Sequence, residues 1–218
     1  MTSRVVPDDT AGRAEAIAAL RRGRLVALPT DTVYGLAVAL DATGGLGRLF
    51  AAKDRPLDRG IVLLLADHRQ AETVGLLDAA AHVLAAAFWP GALTLVVAQQ
   101  PDVTLPPELT GGVATIGLRL PAHDAPRVLA AAVGPLPVSS ANRSGEPPAT
   151  DAAGVLDQLG DAVDLELVLD GGPAAGGVAS TVVDCAGGAP RILRAGAIPA
   201  EVLAAVLDDA DLAHRLRD

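Results

Sequence analysis

Leu25-Val-Ala-Leu-Pro-Thr-Asp-Thr-Val-Tyr-Gly-Leu36 opens with four apolar residues and runs straight into a turn that carries two hydroxyls and a carboxylate. A short apolar run closed by a proline reads as a buried strand. Apolar residues resume from Tyr34 to Leu40. Upstream, Arg4 to Val6 reads as a short strand and Thr10 to Arg22 as an amphipathic helix. Downstream come a glycine-containing helix ending at Ala52, a polar loop from Lys53 to Gly60, a strand at Ile61 to Leu65 and helical stretches to Phe88. Strands at Leu93 to Ala98 and Ala114 to Leu118 follow, then a helix at Ala125 to Val133. A long loop from Ser139 to Thr150 leads into a helix ending near Leu159. Strands at Leu165 to Leu169, Thr181 to Asp184 and Arg191 to Leu193 precede a last helix from Pro199 to about Leu216. Strands and helices interleaved in this way predict an α/β fold with a mixed sheet flanked by helices. No repeat, low-complexity tail or linker divides the 218 residues. We therefore expect one domain over 1–218, with a core at about 5–198 and a C-terminal helix at about 199–216.

Composition narrows the function classes. Seventeen basic and 26 acidic residues give a net charge of −9, which argues against broad binding of nucleic acid through its phosphates. A single cysteine, Cys185, excludes a disulfide framework or cysteine-rich zinc site and suits a reducing cytoplasm. The opening residues lack the apolar core of a secretion signal, so the expected location is cytoplasmic. Mean hydropathy is +0.38, and Ala79 to Ala98 is nearly long enough to span a bilayer. Trp89-Pro90-Gly91 breaks that stretch into helix, turn and strand, so no membrane association is expected. Of the 17 cations, all but Lys53 are arginine. A compact ammonium kept alone among planar guanidinium forks marks Lys53 as a candidate site residue, although a solvated surface lysine is the plain alternative.

The common nucleotide, metalloprotease and serine-hydrolase motifs are missing, and His68, His82, His123 and His214 have no metal-ligand spacing. What remains is a set of polar loops at strand ends, where open α/β sheets bind ligands. They are Pro29 to Leu36, Lys53-Asp-Arg55-Pro-Leu-Asp-Arg59, Thr115-Ile-Gly-Leu-Arg119, Ser139-Ser-Ala-Asn142-Arg-Ser-Gly145, Gly176-Gly-Val-Ala-Ser180-Thr181 and Arg191-x-x-Arg194-x-Gly196. Each alone has a plain reading as a turn, a helix cap or a solvated charge run. Arg119 is harder to dismiss, because a charge inside an apolar strand is costly to bury unpaired. Together the cations suit phosphates, while the hydroxyls and an arginine suit a small zwitterion with a carboxylate.

These strings, in this order, resemble the YrdC-like family of threonylcarbamoyl-AMP synthases. The resemblance runs from about Val5 to Ile198. It is carried by Pro-Thr-Asp-Thr-Val-Tyr-Gly-Leu, Lys-x-Arg-Pro-Leu-Asp, Phe-Trp-Pro-Gly-Ala-Leu-Thr, Ser-Ala-Asn-x-Ser-Gly and Ser-Thr-Val-Val-Asp. It implies a twisted, mainly parallel sheet around a concave, positively lined cavity, in the short single-domain form. It also implies synthesis of threonylcarbamoyl-AMP and pyrophosphate from L-threonine, bicarbonate and ATP. The product serves other enzymes that modify the adenosine beside the anticodon of tRNAs. Carried over by residue, Thr32, Arg119, Ser140 and Ser180 would hold threonine. Arg55, Arg59, Thr115, Asn142, Thr150 and Arg194 would hold ATP, with Lys53 and Arg55 catalytic at the triphosphate. Mg²⁺ would arrive with the nucleotide, with no metal ligand among the side chains. Direct tRNA binding is left open.

The strand after Arg-Pro-Leu-Asp departs from the family pattern. Leu64 falls where the family usually has a histidine near the threonine, and Gly60 replaces the more usual proline. Two other readings follow. A paralogue could keep the nucleotide site and make a different carbamoyl- or acyl-adenylate. A non-catalytic RNA-binding module is the other, opposed by the net charge and by an aromatic content of 2%, which leaves little for base stacking. The glycine-rich run Gly171 to Gly177 is the expected mobile segment.

Overall fold

The computed structural model describes residues 3–54, 60–210 and 212. Its strands are β1 (Arg4–Pro7), β2 (Leu25–Leu28), β3 (Gly35–Ala37), β4 (Val62–Leu64), β5 (Gly75–Leu76), β6 (Leu93–Gln99), β7 (Thr115–Arg119), β8 (Leu136–Ser140), β9 (Leu165–Asp170), β10 (Thr181–Asp184) and β11 (Arg191–Arg194). The helices are α1 (Thr10–Arg21), α2 (Gly45–Ala52), α3 (His68–Val74), α4 (Ala79–Phe88), α5 (Pro107–Thr110), α6 (Asp124–Val133), α7 (Ala152–Leu159) and α8 (Ala200–Asp209). The stretch proposed above as helix, turn and strand is α4, the Trp89 turn and β6. The two-residue β5 and the single-turn α5 were not legible. The last helix is described to Asp209, and most of its expected C-terminal extension lies outside the described residues.

All strands join one mixed sheet in the order β1-β9-β2-β3-β8-β4-β7-β6-β10-β11, with β5 alongside β6. The pairs β1/β9, β2/β9, β4/β7 and β6/β10 are parallel. The other pairs are antiparallel. The expected mixed sheet is therefore present, with parallel pairing confined to those four pairs. The reason is local: β2 returns directly as β3 across 29–34, setting Leu28 opposite Gly35, and β8 docks antiparallel to β3.

Side-chain alternation divides the two faces. On one face, Leu63, Leu95, Leu118 and Val183 pack against Ala81 and Leu84 of α4 and Leu203 and Leu207 of α8 in the larger core. On the other face, Val26, Leu28, Leu136 and Leu167 meet Ala16, Ala19 and Leu20 of α1 and Leu129 of α6 in a smaller core. That second cover lies over β9, β2, β3 and β8. The same face of β7, β6 and β10 is left bare, and β4 forms the boundary, with Leu64 still in the smaller core. Ala, Val and Leu dominate both layers, and the few aromatics, Tyr34, Phe50, Phe88 and Trp89, all belong to or pack against the larger core. Part of the acidic balance is structural: Asp9, Asp67, Asp78 and Asp151 each accept a bond from the backbone N–H three residues on and start α1, α3, α4 and α7.

Two substitutions separate these contributions. Leu20→Ala, at a fully buried position, is expected to cost about 2–5 kcal/mol. Asp151→Ala, which removes one cap, is expected to cost about 1 kcal/mol. Urea unfolding of the two variants beside the parent checks the order.

Candidate functional site

The bare part of the sheet is the floor of a cavity of about 530 Å³, within the size range of small-molecule sites. Its floor runs in rows set by strand register. In one row Leu64 lies beside Arg119, and Arg119 is next to Thr94. In the next row Val62 and Val96 flank Gly117. Thr115 follows on the same face of β7. A Cβ on Gly117 would stand 3.5 Å from Val62 Cγ2 and 3.6 Å from Thr94 Cγ2. The backbone is therefore not crowded there, and the glycine keeps the middle of the floor low. Ser139, Ser140 and Asn142 form one wall, and Ser180, Val182 and Arg194 another.

Arg119 organises the first end. Its Nη2 donates to Asp31 Oδ1 at 2.7 Å, its Nη1 to Thr32 Oγ1 at 2.8 Å and its Nε to the carbonyl of Gly91 at 3.0 Å. Thr32 and Thr30 hydroxyls lie 3.0 Å apart, and Thr30 Oγ1 donates to Val33 O at 2.6 Å. Donor bookkeeping then runs from Arg119 to Thr32, to Thr30 and to the turn backbone. Opposite, Arg194 Nε and Nη2 donate to Ser180 O at 3.2 and 2.8 Å, and Nη2 reaches Ser180 Oγ at 3.1 Å. Ser180 Oγ lies 2.8 Å from Thr94 Oγ1. Gly196 permits this closeness, because a Cβ there would fall 2.4 Å from Ala179 O and Ser180 C.

Burial lowers the pKa of Arg119, and the Asp31 carboxylate opposes that shift. The pKa of Arg194 is lowered by burial and then by the charge of Arg119. Two guanidinium groups that feel each other across this end favour an anion between them, and a planar fork suits a carboxylate.

The second end is built by 139–146. Asn142 Nδ2 donates to Arg143 O and Glu146 O at 2.8 and 2.7 Å, while its buried Oδ1 has no partner among the described residues. Of the residues expected to bind, Thr32, Thr115, Arg119, Ser140, Asn142, Ser180 and Arg194 line this one cavity. Thr150 is exposed and outside the lining, and its carbonyl accepts from Ala174 N. Arg55 and Arg59 lie outside the described residues.

Lys53 stands apart from these residues. Its side chain is 1% exposed, it is not on the cavity wall, and its ammonium donates to the carbonyls of Ser140 and Asn142. Packing carries it beneath the loop at 139–146. The first part of the glycine-rich run is bonded to its surroundings, and Ala175 to Val178 are exposed. Tyr34 Oη accepts from Gly171 N and donates to Gly172 O, and Gly176 leaves no room for a Cβ, which would stand 2.7 Å from Asp31 O. Sequence reasoning gave no role to Thr30, Thr94, Asp31 or Gly117. Strand alternation from Arg119 and the quoted Phe-Trp-Pro-Gly-Ala-Leu-Thr string could have drawn attention to Gly117 and Thr94. Among the described residues no group of three or more His, Cys, Asp or Glu could hold a metal ion, and no helix is long and apolar enough to cross a membrane.

Residues 18–196 match the Sua5/YciO/YrdC family profile, described as telomere recombination. The chain belongs to that family. A Mycobacterium leprae relative named a putative threonylcarbamoyl-AMP synthase is 42% identical over 203 residues, covering 92% of this chain and 90% of the relative. A Bacillus subtilis threonylcarbamoyl-AMP synthase is 39% identical over 196 residues, covering 89% of this chain and 56% of the relative. The Sua5/YciO/YrdC fold is reproduced in Pyrococcus abyssi Sua5 complexed with L-threonine, with a TM-score of 0.86 and 33% identity over 99% of this chain and 62% of that one. The chain thus spans most of the mycobacterial relative and little more than half of the Bacillus one. Escherichia coli YciO shares the fold, with a TM-score of 0.81 at 23% identity.

Removing Asp31 would leave the Arg119 guanidinium, 6% exposed, without its carboxylate. Asp31→Ala is expected to destabilise the fold by about 3 kcal/mol, the lower part of the range for breaking a buried pair. Chemical denaturation of the variant provides the measurement.

Proposed function

We propose that this chain is an L-threonylcarbamoyladenylate synthase, a nucleotidyltransferase that joins L-threonine, bicarbonate and ATP into threonylcarbamoyl-AMP with release of pyrophosphate. The observation that carries the reading is the pair of guanidinium groups, Arg119 and Arg194, facing hydroxyls of Thr32, Thr94 and Ser180 in a cavity on the sheet. The similarity to a solved Sua5 holding L-threonine and to relatives named threonylcarbamoyl-AMP synthase supports it.

In this reading Arg119 takes the amino-acid carboxylate, with Thr32, Ser140 and Ser180 around the rest of the molecule. Thr115, Asn142, Thr150, Arg194, Arg55 and Arg59 hold the nucleotide. Magnesium enters with the triphosphate as part of the substrate. The amine of threonine loses its proton and adds to bicarbonate with loss of water, giving a carbamate. A carbamate oxygen then attacks the α-phosphorus, the bond to the bridging oxygen breaks, and pyrophosphate leaves. No protein nucleophile is required. Alignment of the two substrates and the positive charge of Arg55 and Arg194 supply the catalysis. The adenylate is passed to enzymes that transfer the group to tRNA in the cytoplasm.

Leu64 favours a second reading. It is apolar, 3% exposed, and its strand position lies beside Arg119 on the cavity wall. A wall without a donor there suits an amine other than threonine, which makes the chain a paralogue with the same nucleotide chemistry.

Pyrophosphate release with Mg·ATP and bicarbonate, with and without L-threonine, serine or valine, tests both. Threonine-dependent release with valine reduced at least about tenfold is expected, because hydroxyl-binding groups are left unpaired by valine. ATP consumption without threonine dependence, together with a sharp rise in threonine use by Leu64→His, moves the assignment to the paralogue. Gly117→Leu is expected to keep the fold and abolish turnover by filling the floor, whereas Gly117→Ala retains it.

A further inference from the structure

We infer that Lys53, the chain's only lysine, is a positioning residue that builds the wall carrying Ser140 and Asn142 and does not itself bind phosphate. Most peptide groups of that wall have partners, and the Ser140 carbonyl also accepts from Asn142 N at 3.0 Å. The carbonyls of Ser140 and Asn142 accept from the Lys53 ammonium. The N–H of Ala141 donates to Tyr34 O at 2.8 Å, and the N–H of Arg143 donates to Gln158 Oε1 at 3.0 Å. Ser144 N donates to the backbone carbonyl of Lys53 itself at 2.9 Å. Lys53 thus grips the loop from both its ends, main chain and side chain, just where α2 stops.

Two carbonyls that converge from residues two apart, one buried and one partly so, are best met by a donor with more than one hydrogen at one point. An ammonium supplies three rotatable donors on a compact centre. A guanidinium is wider, flat and rich in donors that would need further partners. This explains why an otherwise arginine-only chain keeps a lysine here. It also explains why the residue is 1% exposed while the loop it holds faces the cavity. The consequence is a coupling: Ser140 and Asn142 stand at residues assigned above to different substrates, so disturbing Lys53 disturbs the sites of both. That last step rests on the proposed function, and the placement of the ammonium does not.

Two measurements test the inference. Native protein is treated with an amine-acetylating ester, and acetylation at Lys53 is followed by peptide mass with and without Mg·ATP. Lys53 is expected to react at least about tenfold more slowly than in urea, as a group exposed only by local opening does, and to the same extent with and without nucleotide. Fast acetylation in the free protein, or protection that appears only with Mg·ATP, overturns the inference. Second, Lys53→Met and Lys53→Arg are compared with the parent for binding of L-threonine alone and Mg·ATP alone, and for hydrogen exchange at 141–144. The expectation is faster exchange and a loss of roughly fivefold or more for each ligand, the scale of a lost hydrogen bond, with no rescue by arginine. A loss for Mg·ATP only, with threonine binding and exchange unchanged, assigns Lys53 to the phosphates. If Lys53→Met does not fold, acetylation of the parent still decides. If the parent binds neither ligand, the proposed function falls, while acetylation and exchange continue to report on Lys53.

Discussion

Placing a guanidinium on a strand with apolar neighbours demands that its charge and donors be answered by the fold, and Arg119 on β7 meets that demand with three different parts of the chain. Asp31 and Thr32 come from the turn between β2 and β3, and the Gly91 carbonyl from the segment before β6. The turn, the central strands and the start of β6 are therefore held in register by one side chain. Burial lowers the pKa of Arg194 across the cavity, and the charge of Arg119 adds to that shift. Partial pairing matters here. Asp31 pairs with Arg119, while Arg194 donates only to the carbonyl and hydroxyl of Ser180, so that end keeps a field that favours an anion.

That field has somewhere to act because the sheet is covered unequally. Helices α4 and α8 close one face, while α1 and α6 close the other face only as far as β4. Leu64 and Val138 belong to that smaller core and also line the cavity, so the boundary between core and site falls between adjacent rows of side chains. A core of Ala, Val and Leu suits this arrangement. It packs closely without long aromatic side chains that would reach across and fill the floor.

Much of this was legible from residue order. The buried β2, the polar turn after it and the solitary charge in β7 follow from local pattern, and the motif series pointed to one site. The pairing of Thr94 with Ser180 joins residues 86 apart in sequence, and local periodicity holds no record of such a partner. Neither does it reveal that β3 and β8 run antiparallel, because strand order is settled by which faces the helices cover. Lys53 shows a different limit. Its rarity marked it as special, but rarity carries no direction, and only the packing of 139–146 above it shows where the ammonium goes. The glycine run at 171–177 read as loose because glycine is permissive. Its small residues also allow close approach to the turn at 29–34 and bonding to the Tyr34 hydroxyl.

Arg194 lies on β11, the outermost strand, paired only with β10 and across an irregular register between Val182 and Val183. Edge strands with exposed backbone are among the first parts of a domain to open. The cavity therefore joins two regions of unequal mechanical security, with Arg119 inside the sheet and Arg194 at its margin. Fraying of four residues would remove one of the two cations and its bonds to Ser180, at the cost of lifting Ile192 from the rim of the larger core. A ligand that bridges the two arginines would act as a clasp on that margin, so occupancy and the local cohesion of β10 and β11 are thermodynamically the same event seen from two sides.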